Sequence, residues 1–277
     1  MNWKQTLFWS FSAAAIFYYF LLFGVFVFVG QEEMQLFIPE WWYIREFLFQ
    51  PGGFCAVAGQ WIIQYYRQPM SAVVFHTVLL VGCGFMVYRI LRCFSDKTYL
   101  LFLSLLPVLY LVKMSIHGEY LVDGTVGVVL MLLALSVSLK VRRAGSIAGY
   151  GIASTLFLCG LTGLLSVCYA FLYTLLALLR YKTSRQRLAA SACLIPALFI
   201  YLFSGWLGIP VPLSDGWMPE AYLEIQRLPH YYMYRVWTFF TLSIVGVALF
   251  ARFVPVIGEK SKWMDRVALV VCLITVL

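Results

Sequence analysis

The sequence predicts an all-α, polytopic membrane protein with about eight to nine transmembrane helices and two interfacial helices in the first outer loop. Three observations predict it. Of 277 residues, 63% are hydrophobic and only 12% are charged, whereas soluble chains carry about 25% charged residues. The apolar residues fall in runs of roughly 17–25, which is the length of helix that crosses a ~30 Å hydrocarbon core. The short alternating segments of an outer-membrane barrel do not occur in the sequence.

The first run, 7–30, is preceded only by Lys4. It is longer than the apolar core of a signal peptide, so it reads as a retained first span. Further spans are expected at 69–90, 98–113, 119–139, 146–161, 164–180, 188–206 and 236–256. A ninth begins near residue 267 and reaches Leu277 in eleven residues, too few to cross a bilayer as a helix. The expectation is therefore one integral membrane domain over 1–277 that continues beyond Leu277. Residues 144–179 carry no charge and lie between KVRR (140–143) and RYKTSRQR (180–187). They read as two helices with the bend at GLTG (160–163), where glycine permits a turn.

Charge supplies the orientation. With a cytoplasmic N-terminus and alternating spans, fifteen of the twenty basic residues fall on the cytoplasmic side, against three acids. The opposite side keeps Arg45, Arg67, Lys113, Arg227 and Arg235, with nine acids. Retention of Lys and Arg on the inner face produces this pattern. The net charge of +8 is thus a topology signal, and no motif for nucleic acid accompanies it. Five of the seven cysteines (Cys83, Cys159, Cys168, Cys193 and Cys272) fall in spans, Cys93 is cytoplasmic and Cys55 faces out. No zinc-ligand spacing is present.

Two outer segments, 31–68 and 207–235, are longer than a turn requires. In the first, QLFIPEWWYIREFLFQ and FCAVAGQWIIQYYRQP flank PGG (51–53). Each stretch is too short and too polar to span. The expected form is two interfacial helices around a glycine hinge, with Trp41, Trp42, Tyr43, Trp61, Tyr65 and Tyr66 at headgroup level. The second segment holds four prolines and a short expected helix at 219–228, with Pro219 and Glu220 in its first turn. A third, KMSIHGEYLVDG (113–124), joins two spans.

The candidate chemistry stands where the first span ends, in VFVGQEEMQLFIPEWWY (26–42). A span, the paired acids Glu32 and Glu33, two membrane-parallel helices and a second span resemble the start of the C-superfamily glycosyltransferases that use lipid-linked sugars. The resemblance implies inverting transfer of a sugar from a polyprenyl-phosphate donor at the outer membrane face. One acid of the pair would serve as base for the acceptor hydroxyl or as a metal ligand. It carries over only to Glu32 and Glu33, and it assigns no resident metal or cofactor. The stretches EEMQLF and PGGF (51–54) also resemble a group of bacterial multi-span proteins without an assigned activity, over roughly the first hundred residues. That likeness implies a bacterial inner membrane.

Physical chemistry is compatible with such a site. A partly desolvated carboxylate is a better base, and a donor phosphate needs cations on the same face. Arg45, Arg67, Lys113, Arg227 and Arg235, with His117, are the candidates for substrate binding; membrane lipid and a polyprenyl-phosphate sugar are the expected partners. A plainer reading stands beside this one. Acids at a helix exit are often solvated residues that stop a span, favoured by about 0.3–1 kcal/mol at the next helix N-terminus.

His76, a third of the way into the second span, is either an intramembrane functional group or a neutral histidine bonded to a neighbouring helix. Glu119 and Asp123 at helical spacing would share a face and suit a divalent cation, or belong to a solvated turn. Asp215, Glu220, Glu224 and His230 are loop residues or line a cleft. A transporter or flippase is the rival function, since Pro107, Pro196 and Pro255 interrupt spans. A non-catalytic subunit of an envelope complex would require nothing of the acids.

Overall fold

Long apolar runs can satisfy their amides in hydrocarbon only as helices or closed barrels, and every regular element among the described residues is helical. The structure, a computed structural model, describes residues 3–34, 37–117, 120, 122–203 and 228–253. Its elements in order are α1 (Trp3–Phe23), α2 (Val25–Met34), α3 (Trp41–Leu48), α4 (Gly53–Ile63), a 3-10 turn (Gln64–Arg67), α5 (Pro69–Leu91), α6 (Tyr99–Leu103) and α7 (Leu106–Ser115). They are followed by α8 (Val122–Ser138), α9 (Ala144–Thr162), α10 (Leu165–Arg180), α11 (Ser184–Ser191), α12 (Leu194–Leu202) and α13 (Leu228–Phe253).

Among the described residues three helices are long and apolar enough to cross a membrane: Gln5–Phe23, Pro69–Leu91 and Ala144–Thr162. Shorter apolar helices cover Tyr99–Ser115, Val122–Ser138, Leu165–Arg180 and Val236–Arg252. Several expected spans are jointed. The first is broken at Gly24 into α1 and α2, although Gly24 N–H to Phe20 O (2.9 Å) and Phe28 N–H to Gly24 O (3.0 Å) carry the helical ladder through. The expected span 98–113 is interrupted at Ser104 and Leu105, before the Pro107 that opens α7. The expected span 188–206 divides into polar α11 and apolar α12. The final described helix starts at Leu228, eight residues before the sequence suggests.

The charge-free segment is the expected hairpin. α9 ends at Thr162, α10 begins at Leu165, and Gly163 lies between them with φ +61° and ψ −129°. A side chain would be strained in that conformation.

Among the described residues, successive connectors alternate between two ends of the bundle. At one end, the Gln31 side-chain amide donates to Tyr120 O (2.9 Å), and Gly52 N–H donates to Gly160 O (3.1 Å). There, α4 also crosses the start of α8 so closely that a Cβ on Gly59 would come within 2.7 Å of the Asp123 Cβ. At the other end, Gln5 Nε2 donates to Tyr88 Oη (2.9 Å) and Tyr181 Oη donates to Val141 O (2.7 Å). α13 returns to this second end, where Phe250 meets Tyr99 edge-on with centroids 5.8 Å apart. The first end holds Glu32, Glu33, Glu40, Glu46 and Asp123, and is here the acidic end. The second holds the KVRR and RYKTSRQR clusters and is the basic end.

Tyrosines fill much of the interior, and three of them pair their hydroxyls inside it, as most buried polar groups do. Tyr66 Oη lies 2.6 Å from His76 Nε2, Tyr120 Oη 3.1 Å from Thr125 Oγ1, and Tyr169 Oη 2.7 Å from Ser138 Oγ. All three rings are fully buried.

Candidate functional site

The paired acids are delivered by α2, which leaves the bundle against α5 and the 3-10 turn. Gln31 is buried and anchors the helix through its bond to Tyr120 O. The next two side chains then emerge in steps: Glu32 is half-buried and Glu33 is exposed.

The first loop folds as two helices around the glycine hinge. Gly52 has φ +85°, a left-handed conformation that glycine adopts at no steric cost. The two helices differ in kind. No residue of α3 is buried; Trp41, Trp42 and Phe49 are 67%, 58% and 79% exposed. By contrast, α4 is not simply laid flat on a surface. Its buried residues are Gly53, Cys55, Gly59, Ile62 and Ile63, and the helix packs against α8 and α9. Small residues allow that approach, as in helix pairs within membranes generally. Tyr43 Oη donates to Gln60 Oε1 (3.2 Å) and ties α3 to α4.

This corrects the placement of two residues. Tyr66, expected at headgroup level, is fully buried against His76. Cys55, expected to face out, is buried. Burial pushes its thiol up to about 12, and the neighbouring Asp123 carboxylate adds to the effect. Asp123 itself is half-buried in the first turn of α8, where an oxygen of its carboxylate accepts from Gly124 N–H at 2.7 Å. The expected face shared by Glu119 and Asp123 reaches past the described start of α8 at Val122. Glu119 lies outside the described residues.

The described candidate cations reach the same end, and among the described residues none of them forms an ion pair with the acids. Arg67 is exposed in the 3-10 turn packed on α2. Arg45 is exposed on α3 with its guanidinium 5.7 Å from the centre of the Phe49 ring. Lys113 and His117 are exposed at the end of α7 and just beyond it. Among the described residues the one ion pair is Arg92–Asp96 (3.2 Å), at the basic end. Arg227 lies outside the described residues, as do Asp215, Glu220, Glu224, Cys272 and Pro255. So do the side chains of Arg235 and His230, most of the expected helix 219–228 and the ninth span. Among the described residues no three His, Cys, Asp or Glu side chains are grouped to hold a metal ion.

His76 is buried and touches three aromatic rings. It stacks on Phe28, with ring centres 4.3 Å apart and planes 9° apart, and lies against Phe20 and Tyr66. The second span contains a bonded histidine, although its partner comes from the 3-10 turn just before the span and not from a neighbouring helix. Two residues in this region escape a reading of the sequence. Gln31 is legible only as a neighbour of the acids, yet it fixes their helix. Tyr66 was signalled by its partner, since a histidine inside an apolar run requires a polar neighbour.

A family model described as a family of unknown function (DUF6057) matches residues 1–273. No curated protein matches the chain, and no solved structure matches it.

Proposed function

The chain belongs to the DUF6057 family, whose function is unknown, and from that premise we propose that it is a glycosyltransferase-like enzyme. It takes a sugar from a polyprenyl-phosphate donor at the outer face of a bacterial inner membrane, with the N-terminus in the cytoplasm and eight to nine spans. The observation that carries this reading is the exit of α2. A buried Gln31 anchors it, and Glu32 and Glu33 stand half-buried and exposed on an end that also presents Arg45, Arg67, Lys113 and exposed tryptophans.

The chemistry follows from those groups. Glu32 or Glu33 takes the proton of the acceptor hydroxyl. The acceptor oxygen bonds to the anomeric carbon from the side opposite the phosphate. The bond from that carbon to the phosphate oxygen breaks, and polyprenyl phosphate leaves with the electron pair. Arg45, Arg67 and Lys113, with Arg227 and Arg235, supply positive charge for the phosphate, and His117 a hydrogen-bond donor. The α3 aromatics hold the lipid portion at the interface.

The test is transfer from a polyprenyl-phosphate sugar in membranes carrying Glu32→Gln or Glu33→Gln. Removing a general base costs about 10²–10⁴-fold in rate. At least one variant should lose transfer on that scale with its membrane abundance unchanged. Full transfer by both variants would overturn the reading.

A further inference from the structure

The α8–α9 and α10–α11 connectors are forty residues apart in sequence, yet they form one surface. Tyr181 Oη donates to Val141 O (2.7 Å), Gln186 Nε2 to Arg142 O (2.7 Å), and Arg187 Nε to Tyr181 O (2.8 Å). These bonds set Lys140, Arg142 and Arg143 beside Lys182, Arg185 and Arg187, all six exposed, with Arg180 half-buried behind them.

Among the described residues nothing nearby balances this charge. The sequence has no Asp or Glu from 124 to 214. The single carboxylate at this end among the described residues, Asp96, is engaged by Arg92. One Arg180 nitrogen, Nη1, is buried and has no acceptor among the described residues, a condition that an incoming anion would relieve. Two helix N-termini open here as well. That of α9 follows Arg143 without a side-chain cap, and that of α11 is capped by Thr183. Their partial positive charges add to the field.

We propose that the joined connectors are a single binding platform for the phosphate headgroups of anionic lipids. Inward retention of basic residues requires only that charges lie near helix ends; it does not require two clusters to be hydrogen-bonded into one surface. The neighbouring side chains identify the occupant. Leu188, next to Arg187, is 75% exposed, and Tyr150 and Leu178 are exposed on the adjoining helices. A lipid surface covers the apolar side chains and the cations together, whereas a nucleic acid would leave the apolar ones against water. The proposal is independent of the glycosyl-transfer reading and stands or falls separately from it.

The experiment uses the full chain purified in a non-ionic detergent, where membrane orientation plays no part. Phosphatidylglycerol or phosphatidylcholine is added, and retained lipid is counted by native mass spectrometry. The wild type should prefer phosphatidylglycerol by about tenfold or more. K140Q/R142Q/R143Q and K182Q/R185Q should each lose most of that preference, while R142K/R143K/R185K keeps it. If the multiple variants do not fold, R143Q and R185Q carry the test, each expected to weaken binding about fivefold. The proposal is overturned if the wild type shows no preference, or if the neutralised variants keep it. It is equally overturned if inorganic phosphate at the lipid's concentration displaces the lipid completely, since the site would then be one for the free anion.

Discussion

At the scale of single residues, burial separates side chains that the sequence treats alike. Cys55 and Cys93 both read as lying outside the spans, but Cys55 is enclosed by α4 and α8 while Cys93 is exposed. The thiolate is the nucleophile, and a pKa raised to about 12 leaves Cys55 almost wholly protonated at neutral pH. Maleimide at pH 7.5 should therefore label Cys93 and spare Cys55, whose reaction should appear only when the protein unfolds. Peptide mapping of the labelled chain checks this. Glycines divide in the same way. A Cβ at position 59 would collide with the Asp123 backbone and Cβ, whereas one at position 82 would meet nothing within 4 Å. Gly59→Ala should cost about 1–3 kcal/mol as an overpacked contact, read as a lower thermal midpoint; Gly82→Ala should leave the midpoint unchanged or raise it. Neither contrast is legible in the sequence, because each depends on which helix crosses at that residue.

At the scale of elements, what could be read was whatever charge and glycine mark out. The α9–α10 hairpin was legible because thirty-six uncharged residues between two basic clusters must turn once, and glycine allows the turn. Gly163→Ala should cost about 1–3 kcal/mol of backbone strain, again measured by the thermal midpoint. The start of α13 was not legible. LPHYYMYR reads as loop, yet Pro229 sits in the first turn of the helix, where its missing N–H costs nothing. The joints within the third and seventh expected spans were marked by Pro107 and Pro196, which stand in the first turn of the helix after each break. The two helices of the first loop were legible from PGG and the tryptophans. That α4 would be half-absorbed into the bundle was not, since its small residues give no periodic signal. The candidate acids were legible by position alone; the side chain that anchors their helix, Gln31, was not.

At the scale of the whole molecule, the bundle has two chemically opposite ends. One carries Glu32, Glu33, Asp123 and the exposed aromatics of α3, and the other the joined basic connectors. Sugar transfer at the first and lipid binding at the second both presuppose that a membrane separates them. The most direct test places a cysteine at Phe49, exposed at the tip of the first loop, and compares it with native Cys93. An impermeant thiol reagent is applied to intact cells and then to permeabilised ones. The account predicts that F49C reacts in intact cells and that Cys93 reacts only after permeabilisation. Equal labelling of the two before permeabilisation would put both ends in one compartment and contradict the account.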